Sequence, residues 1–363
     1  MEPLKDQFFN KAFVSQLAAD LKAAAPGFDT TRFVNRVLDK DWKARELKER
    51  MHHVADCLHA ALDRDYKACI ALLTPLVQKR IRAGMTSFGD MIFPDFVERF
   101  GLQDFKTSVK ALEIFTVACS SEFAVRPFIV RYREKMMQQM LVWSKHKNEH
   151  VRRLASEGCR PRLPWGMALP EFKKDPRPVL RVLENLKSDT SEYVRRSVAN
   201  NLNDISKDNV EIALVTAERW LSEDKETAAL IRHALRNELK KGNRRALALF
   251  ALPHKTKAKI FNLKVTPAKI KIGESVQIHF TLRTTARERL RLEYWVHFIK
   301  AKGHATKKVF QIFEGEFEAG SEREFRKKHR FQDFTTRKHY AGKHEIIVAI
   351  NGVAKASAFV ELS

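Results

Sequence analysis

The sequence has no stretch approaching the ~20 uninterrupted apolar residues that cross a bilayer. Its opening, MEPLKDQFFNKAF, lacks the apolar core of a secretion signal. Both absences point to a cytoplasmic protein that does not engage a membrane. Cysteine is scarce. Cys57, Cys69, Cys119 and Cys159 form no CxxC pair and no recognised zinc spacing, which excludes a disulfide framework and a structural zinc site. They read as reduced, mostly buried thiols. The 13 histidines are scattered. His52 and His53, with Asp56 and Cys57 one helical turn on, match no standard metal motif and sit in an ordinary amphipathic pattern. No metal and no cofactor is expected.

What the chain has in excess is positive charge. Lys and Arg number 67 against 44 Asp and Glu, a formal net charge of +23. Such a surplus concentrates polyanions at the surface and releases counterions when they bind. A membrane binder would show one basic amphipathic helix or a polybasic tail. Here the charge is spread, with +12 in residues 251–363 and +11 before them. Both parts are expected to face the same polyanion, a nucleic acid.

Residues 1–250 read as helix after helix. LKDQFFNKAFVSQLAADLKAA, FVNRVLDKDWKARELKERMHHVADCLHAAL and DYKACIALLTPLVQKRI all repeat apolar residues at helical spacing. Asp29 and Thr30 supply N-cap chemistry. The segment EHVRRLASEG at 149–158 recurs as EYVRRSVANN at 192–201, an offset of 43 residues. That lies within the ~40–47 residues of HEAT and armadillo units. A weaker copy, ETAALIRHALRN, follows at 226–237, and SEFAVRPF at 121–128 is an earlier candidate. Stacked helix pairs would bury a continuous core and line one face with Arg126, the doublets Arg152-Arg153 and Arg195-Arg196, and Arg232.

After Leu252 the text becomes strand-like. Val276-Gln277-Ile278-His279-Phe280 alternates, Ile272-Gly273-Glu274-Ser275 reads as a turn, and Asn351-Gly352 is a hairpin signal. Roughly seven short strands suggest an immunoglobulin-like sandwich without its disulfide. The expected organisation is a HEAT-like α-helical solenoid over residues 1–252 and a small all-β sandwich over 257–363. Within the latter, REFRKKHRFQDFTTRKHY at 323–340 interleaves aromatics with cations. Arg326, Lys327 and Lys328 are expected to touch DNA there; a solvated basic loop is the plainer alternative.

Carboxylates among these arginines are the anomaly, because a carboxylate facing phosphate is repulsive. On a helix, Arg153 and Glu157 differ by about 40° and share a face. In the second copy Arg196, Asn200, Asn203 and Asp204 cluster opposite Val194, Val198 and Leu202. The bland reading is local ion pairing, Glu157 with Arg153 and Asp204 with Lys207. The sharper reading is a carboxylate that stabilises a developing cation, or positions a water, at a sugar's anomeric carbon. Glu122 is a third candidate, with helix N-terminal charge as its plain alternative. Trp165, between Pro164 and Gly166, is either a plug between repeats or a ring that meets a nucleoside or a cationic base. Trp143 and Trp220 sit in apolar helical contexts and read as core.

The runs NEHVRRLASEGCRPRLPWG and LKSDTSEYVRRSVANNLNDISKD resemble the AlkC branch of the DNA alkylation repair HEAT-repeat glycosylases. EPLKDQFFN, ELKERMHHVADCL and SEFAVRPF fit as well. The strand-rich tail resembles the immunoglobulin-like domain that some of these proteins carry. The resemblance implies a monofunctional DNA glycosylase that excises cationic alkylated bases such as N3-methylcytosine and N3-methyladenine from double-stranded DNA. It implies hydrolysis without metal or cofactor and without a deep base-flipping pocket; a single-chain clamp suggests a monomer. By motif it assigns Glu157, Asp204, Trp165 and Glu122 to catalysis, and Arg126, Arg152, Arg153, Arg195, Arg196, Asn200 and Arg232 to the DNA surface. The helical wheel favours Arg153 and Arg196 within the doublets. The competing class is a non-catalytic HEAT scaffold that binds nucleic acid or protein.

Overall fold

Apolar residues three and four apart fold as helices that bury one stripe. In the computed structural model, which describes residues 2–221, 224–301, 303–334 and 338–363, they do so through residue 248. The helices include Lys11–Ala24, Thr30–Val37, Leu47–Leu62, Tyr66–Arg82, Ile92–Phe100, Phe105–Phe115 and Val125–Arg131. Arg133–Trp143, Glu149–Gly158, Arg177–Leu186, Glu192–Asp208, Val210–Trp220 and Lys225–Ala234 follow. Asp29 caps its helix as expected, accepting the Arg32 N–H at 2.9 Å. Among the described residues no helix is long and apolar enough to cross a membrane. All four cysteines are free thiols, and only Cys119 is less than fully buried.

Contacts divide the chain into two compact units. One holds Leu214–Leu221 with Leu235–Ser363; the helices before and between form the other. In the helical unit the 43-residue offset is a structural repeat. Glu149–Gly158 packs on Glu192–Asp208, and Lys225–Ala234 packs on the latter in turn. Arg133–Trp143 packs on Arg177–Leu186, the helix that precedes the next copy. The equivalent Val151 and Val194 are both buried in this α-solenoid. Trp143 and Trp220 are core residues, as expected.

One feature of the helical wheel is corrected. Asn203 and Asp204, expected on a face turned away from the core, are each 1% exposed. In a stack, the face turned from its own pair is covered by the next repeat. Asn203 Nδ2 accordingly donates to the Ala234 carbonyl at 2.7 Å.

The strands are β1 (Lys259–Thr266), β2 (Lys269–Ile270), β3 (Ser275–Arg283), β4 (Glu288–Ile299), β5 (Ala305–Phe317), β6 (Glu322–Arg330), β7 (Gly342–Ile350) and β8 (Val353–Leu362). They form a three-stranded sheet, β1-β3-β6, and a five-stranded sheet, β2-β8-β7-β4-β5. Among the described residues, the two-residue β2 is the one strand beyond the roughly seven expected. Alternation places Val276, Ile278 and Phe280 inward, where they join Leu292, Val296, Ile346 and Val348 in one core. Asn351 and Gly352 have φ of 48° and 74°, the geometry of the β7–β8 hairpin turn.

Gly352 has a second reason to be glycine. A Cβ there would lie 2.5 Å from the Gly242 Cα, so backbone meets backbone. Gly273, at φ +99°, faces open space. Gly352→Ala is therefore expected to cost well over about 1 kcal/mol, and Gly273→Ala less, because only backbone strain is added there. Thermal melts of the two variants check this; equal losses would refute the close-contact argument.

Candidate active site

The helix Glu149–Gly158 ends at Gly158, and the chain runs through Arg160 and Trp165 before the next helix. This segment is tied down by Arg126, at the start of Val125–Arg131. Its guanidinium donates to the carbonyls of Met167 (2.6 Å), Gly158 (2.9 Å) and Arg160 (2.9 Å). Arg126 is fully buried, and burial lowers its pKa to about 10. It was expected on the DNA surface, and the structure corrects that. The Gly158 carbonyl at the helix end and two carbonyls of the loop that follows need donors, and here a buried arginine provides them.

A cavity of about 330 Å³ opens beside this segment. Glu122, Glu157, Arg160 and Trp165 all line it, together with Phe123 and Cys119. Trp165 stands at the rim, 62% exposed, with its backbone left-handed at φ 63°. For a bulky residue that conformation is an outlier, and such outliers cluster at functional sites. Lys48, on the helix Leu47–Leu62, donates to the Trp165 carbonyl and lies 4.7 Å from the centre of the Phe123 ring. Glu157 forms the floor, 5% exposed. Its Oε1 accepts from Arg160 Nη1 and its Oε2 from Ser197 Oγ, each at 2.6 Å.

Asp204 does not line the cavity but is joined to it. Its Oδ2 accepts from Arg160 Nε and its Oδ1 from Lys207 Nζ, both at 2.8 Å. One guanidinium thus links two buried carboxylates from different repeats. Burial alone would lower the Arg160 pKa, but the Glu157 and Asp204 charges outweigh it and raise the value. Arg153 behaves similarly. Its Nη1 donates to Glu122 at 2.8 Å and to Ser120 at 3.0 Å, its Nη2 lies 3.7 Å from Glu157, and it stacks 4.6 Å from the centre of the Tyr193 ring. Burial pushes the Cys119 thiol up to about 12, so it stays neutral beside the carboxylates.

Both bland pairings therefore occur, Arg153 with Glu157 and Lys207 with Asp204. They coexist with a shared cavity that sequence spacing did not reveal. Arg160, Ser197, Tyr193 and Lys48 were missed. Arg160 stood in the repeat string, but nothing local signals that it reaches a residue 44 positions away.

The arginine surface is also redistributed. Arg152 makes a bidentate pair with Asp189 and donates to the His146 and Lys147 carbonyls. Arg195 donates to the Asp189 and Thr190 carbonyls and pairs with Glu226. Each first arginine of a doublet pins its own inter-helix turn rather than facing outward. Arg153 is absorbed by the carboxylates. Arg196 is exposed and has no ion pair among the described residues. With Lys225 and His233 it lines a groove of about 450 Å³. Asn200 faces that histidine, its Oδ1 2.9 Å from His233 Nε2. Arg232 is half-buried.

In the sandwich, alternation splits the basic run. Arg326 and Lys328 pair across from His279 and Gln277 on the outer face of the three-stranded sheet. Lys327 pairs with the core residue Ile278 and takes the opposite side, where it is nevertheless exposed because β6 is an edge strand. Thr335, Thr336 and Arg337 of the same run lie outside the described residues.

Comparison with known proteins adds three findings. Residues 259–363 match the family described as "Uncharacterised protein YhaZ, C-terminal Ig-like domain". The chain is 42% identical over 357 residues to "Uncharacterized protein YhaZ" of Bacillus subtilis (strain 168), covering 98% of each. It is similar over 100% of both chains, with a TM-score of 0.95 and 39% identity, to Pseudomonas fluorescens alkylpurine DNA glycosylase AlkC bound to DNA containing an abasic site analog.

Proposed function

Because this chain belongs to the AlkC-type DNA alkylation repair HEAT-repeat DNA glycosylases with a C-terminal immunoglobulin-like domain, we propose that it excises cationic alkylated bases from duplex DNA. The substrates are N3-methyladenine and N3-methylcytosine, and the reaction is monofunctional hydrolysis. The observation that carries this reading is the joining of Glu122, Glu157 and Trp165 around one cavity, with Asp204 tied to it through Arg160.

Alkylation of a ring nitrogen leaves the base positively charged. When the bond from C1′ to the base nitrogen breaks, its electron pair neutralises the base, which departs without needing a proton. The sugar is left as an oxocarbenium-like cation. Glu157, which lines the cavity, and Asp204 behind it are the anions that stabilise it, and Glu157 accepts the proton of the water that bonds to C1′. The electron-rich Trp165 face at the rim suits a cationic base, an attraction worth about 0.5–2 kcal/mol. Departure assisted by the base's own charge requires neither cofactor nor a deep pocket for a flipped nucleotide. The protein acts on DNA as a monomer in the cytoplasm. Residues 1–252 serve as the glycosylase domain and 257–363 as an added DNA clamp.

A duplex with one N3-methyladenine or N3-methylcytosine, incubated with excess enzyme and then cleaved at abasic sites, tests the reading on a gel. Absence of abasic product would leave the non-catalytic scaffold standing.

The clamp makes a separate prediction. Each lost phosphate contact lowers the slope of log K against log salt by about 0.9. Replacing Arg326 and Lys328 together by Ala is expected to reduce the slope by about 1.8, whereas Lys327→Ala leaves it nearly unchanged. Equal effects of all three in a salt titration of DNA binding would refute the face assignment.

A further inference from the structure

We infer that Arg160 is a positioning residue for the hydrolysis, holding the carboxylates of Glu157 and Asp204 together from one buried guanidinium. The inference rests on the glycosylase reading above.

The geometry is specific. Glu157 lies on Glu149–Gly158 and Asp204 on Glu192–Asp208, adjacent helices of different repeats. Arg160 approaches both from the segment between the repeats and uses separate nitrogens, Nη1 at 2.6 Å and Nε at 2.8 Å. Its side chain is 8% exposed, against 6% and 1% for the carboxylates. Its backbone is fixed as well, because its carbonyl accepts from Arg126 Nη2 at 2.9 Å.

The other charges nearby do not replace it. Arg153 is 3.7 Å from Glu157 but is committed to Glu122 at 2.8 Å. Lys207 reaches only Asp204, and its side chain is 39% exposed, so solvent screens it. Arg126 spends its donors on carbonyls. Cys159 is a neutral thiol, pushed up to about 12 by burial.

Without the guanidinium, the buried Glu157 and Asp204 lose the cation between them, with Glu122 a third carboxylate at the same cavity, and like charges so placed favour uptake of a proton by one of them. A protonated carboxyl neither stabilises an oxocarbenium ion nor accepts a proton from water. Loss of Arg160 should therefore remove activity first on the acid side. A merely structural loss would instead scale the rate equally at every pH.

The test is single-turnover excision from an N3-methyladenine duplex between pH 5 and 9, with wild type, Arg160→Gln and Arg160→Lys. The glutamine variant is expected to lose about 10²-fold at neutral pH, with its acid limb moved upward. The lysine variant keeps the charge but reaches one carboxylate, so its limb should move part of the way. It also preserves the test if the glutamine variant does not fold. Binding to a duplex with an abasic-site analogue should change little in either. An unmoved limb in every variant that folds overturns the role of Arg160 while leaving the glycosylase reading intact. An inactive wild type overturns both.

Discussion

Glu157→Gln is expected to lower single-turnover excision by about 10²–10⁴-fold while leaving affinity for an abasic-analogue duplex within a few-fold. The substitution is mild for the fold. A glutamine carbonyl can still accept from Arg160, and its amide can donate to Ser197, whose hydroxyl serves either role. What disappears is the negative charge, so the change reads the chemistry. Asp204→Asn should cost a similar factor but is less clean. Both oxygens of Asp204 accept from groups that only donate, Arg160 and Lys207, so an amide nitrogen on either side finds no acceptor. A lower melting temperature is therefore expected for Asp204→Asn and not for Glu157→Gln. Full excision activity in both variants would move the chemistry elsewhere.

Arg126→Ala should be the most destabilising substitution in the helical unit. It removes a fully buried guanidinium and leaves the carbonyls of Gly158, Arg160 and Met167 without their donor. Buried acceptors stripped of partners cost about 1–3 kcal/mol each, and with two of the three carbonyls buried a total loss of at least about 2 kcal/mol is expected. Arg126→Lys recovers one of the three contacts and should fall between. Because those carbonyls anchor the segment that carries Arg160 and Trp165, excision should fall with stability. A surface arginine that touches phosphate would behave oppositely, with weaker DNA binding and little change in melting. Denaturation and binding measured on the same variant separate the two.

Features that depend on near neighbours are legible in the chain without its fold. Helical spacing, the Asp29 cap, the repeat from Val151 to Val194 and the Asn351-Gly352 turn are all properties of a few consecutive residues, and all are present in the structure. So is the alternation at Val276–Phe280 that turns β3 inward. The carboxylates also stood out locally, as acidic side chains in a basic repeat.

Tertiary structure alone decided which of the basic and acidic groups are free. Arg126, Arg152 and Arg195 resemble DNA contacts in the string, yet each is used up by carbonyls or a carboxylate that packing brings near. Glu157 and Asp204 become one unit only because stacked repeats bring their helices side by side and Arg160 spans the gap. Periodicity reports the face of a helix but not what the next repeat lays against it. In a solenoid, that neighbour sets the burial of a charge, and burial turns an ordinary ion pair into a candidate catalytic centre.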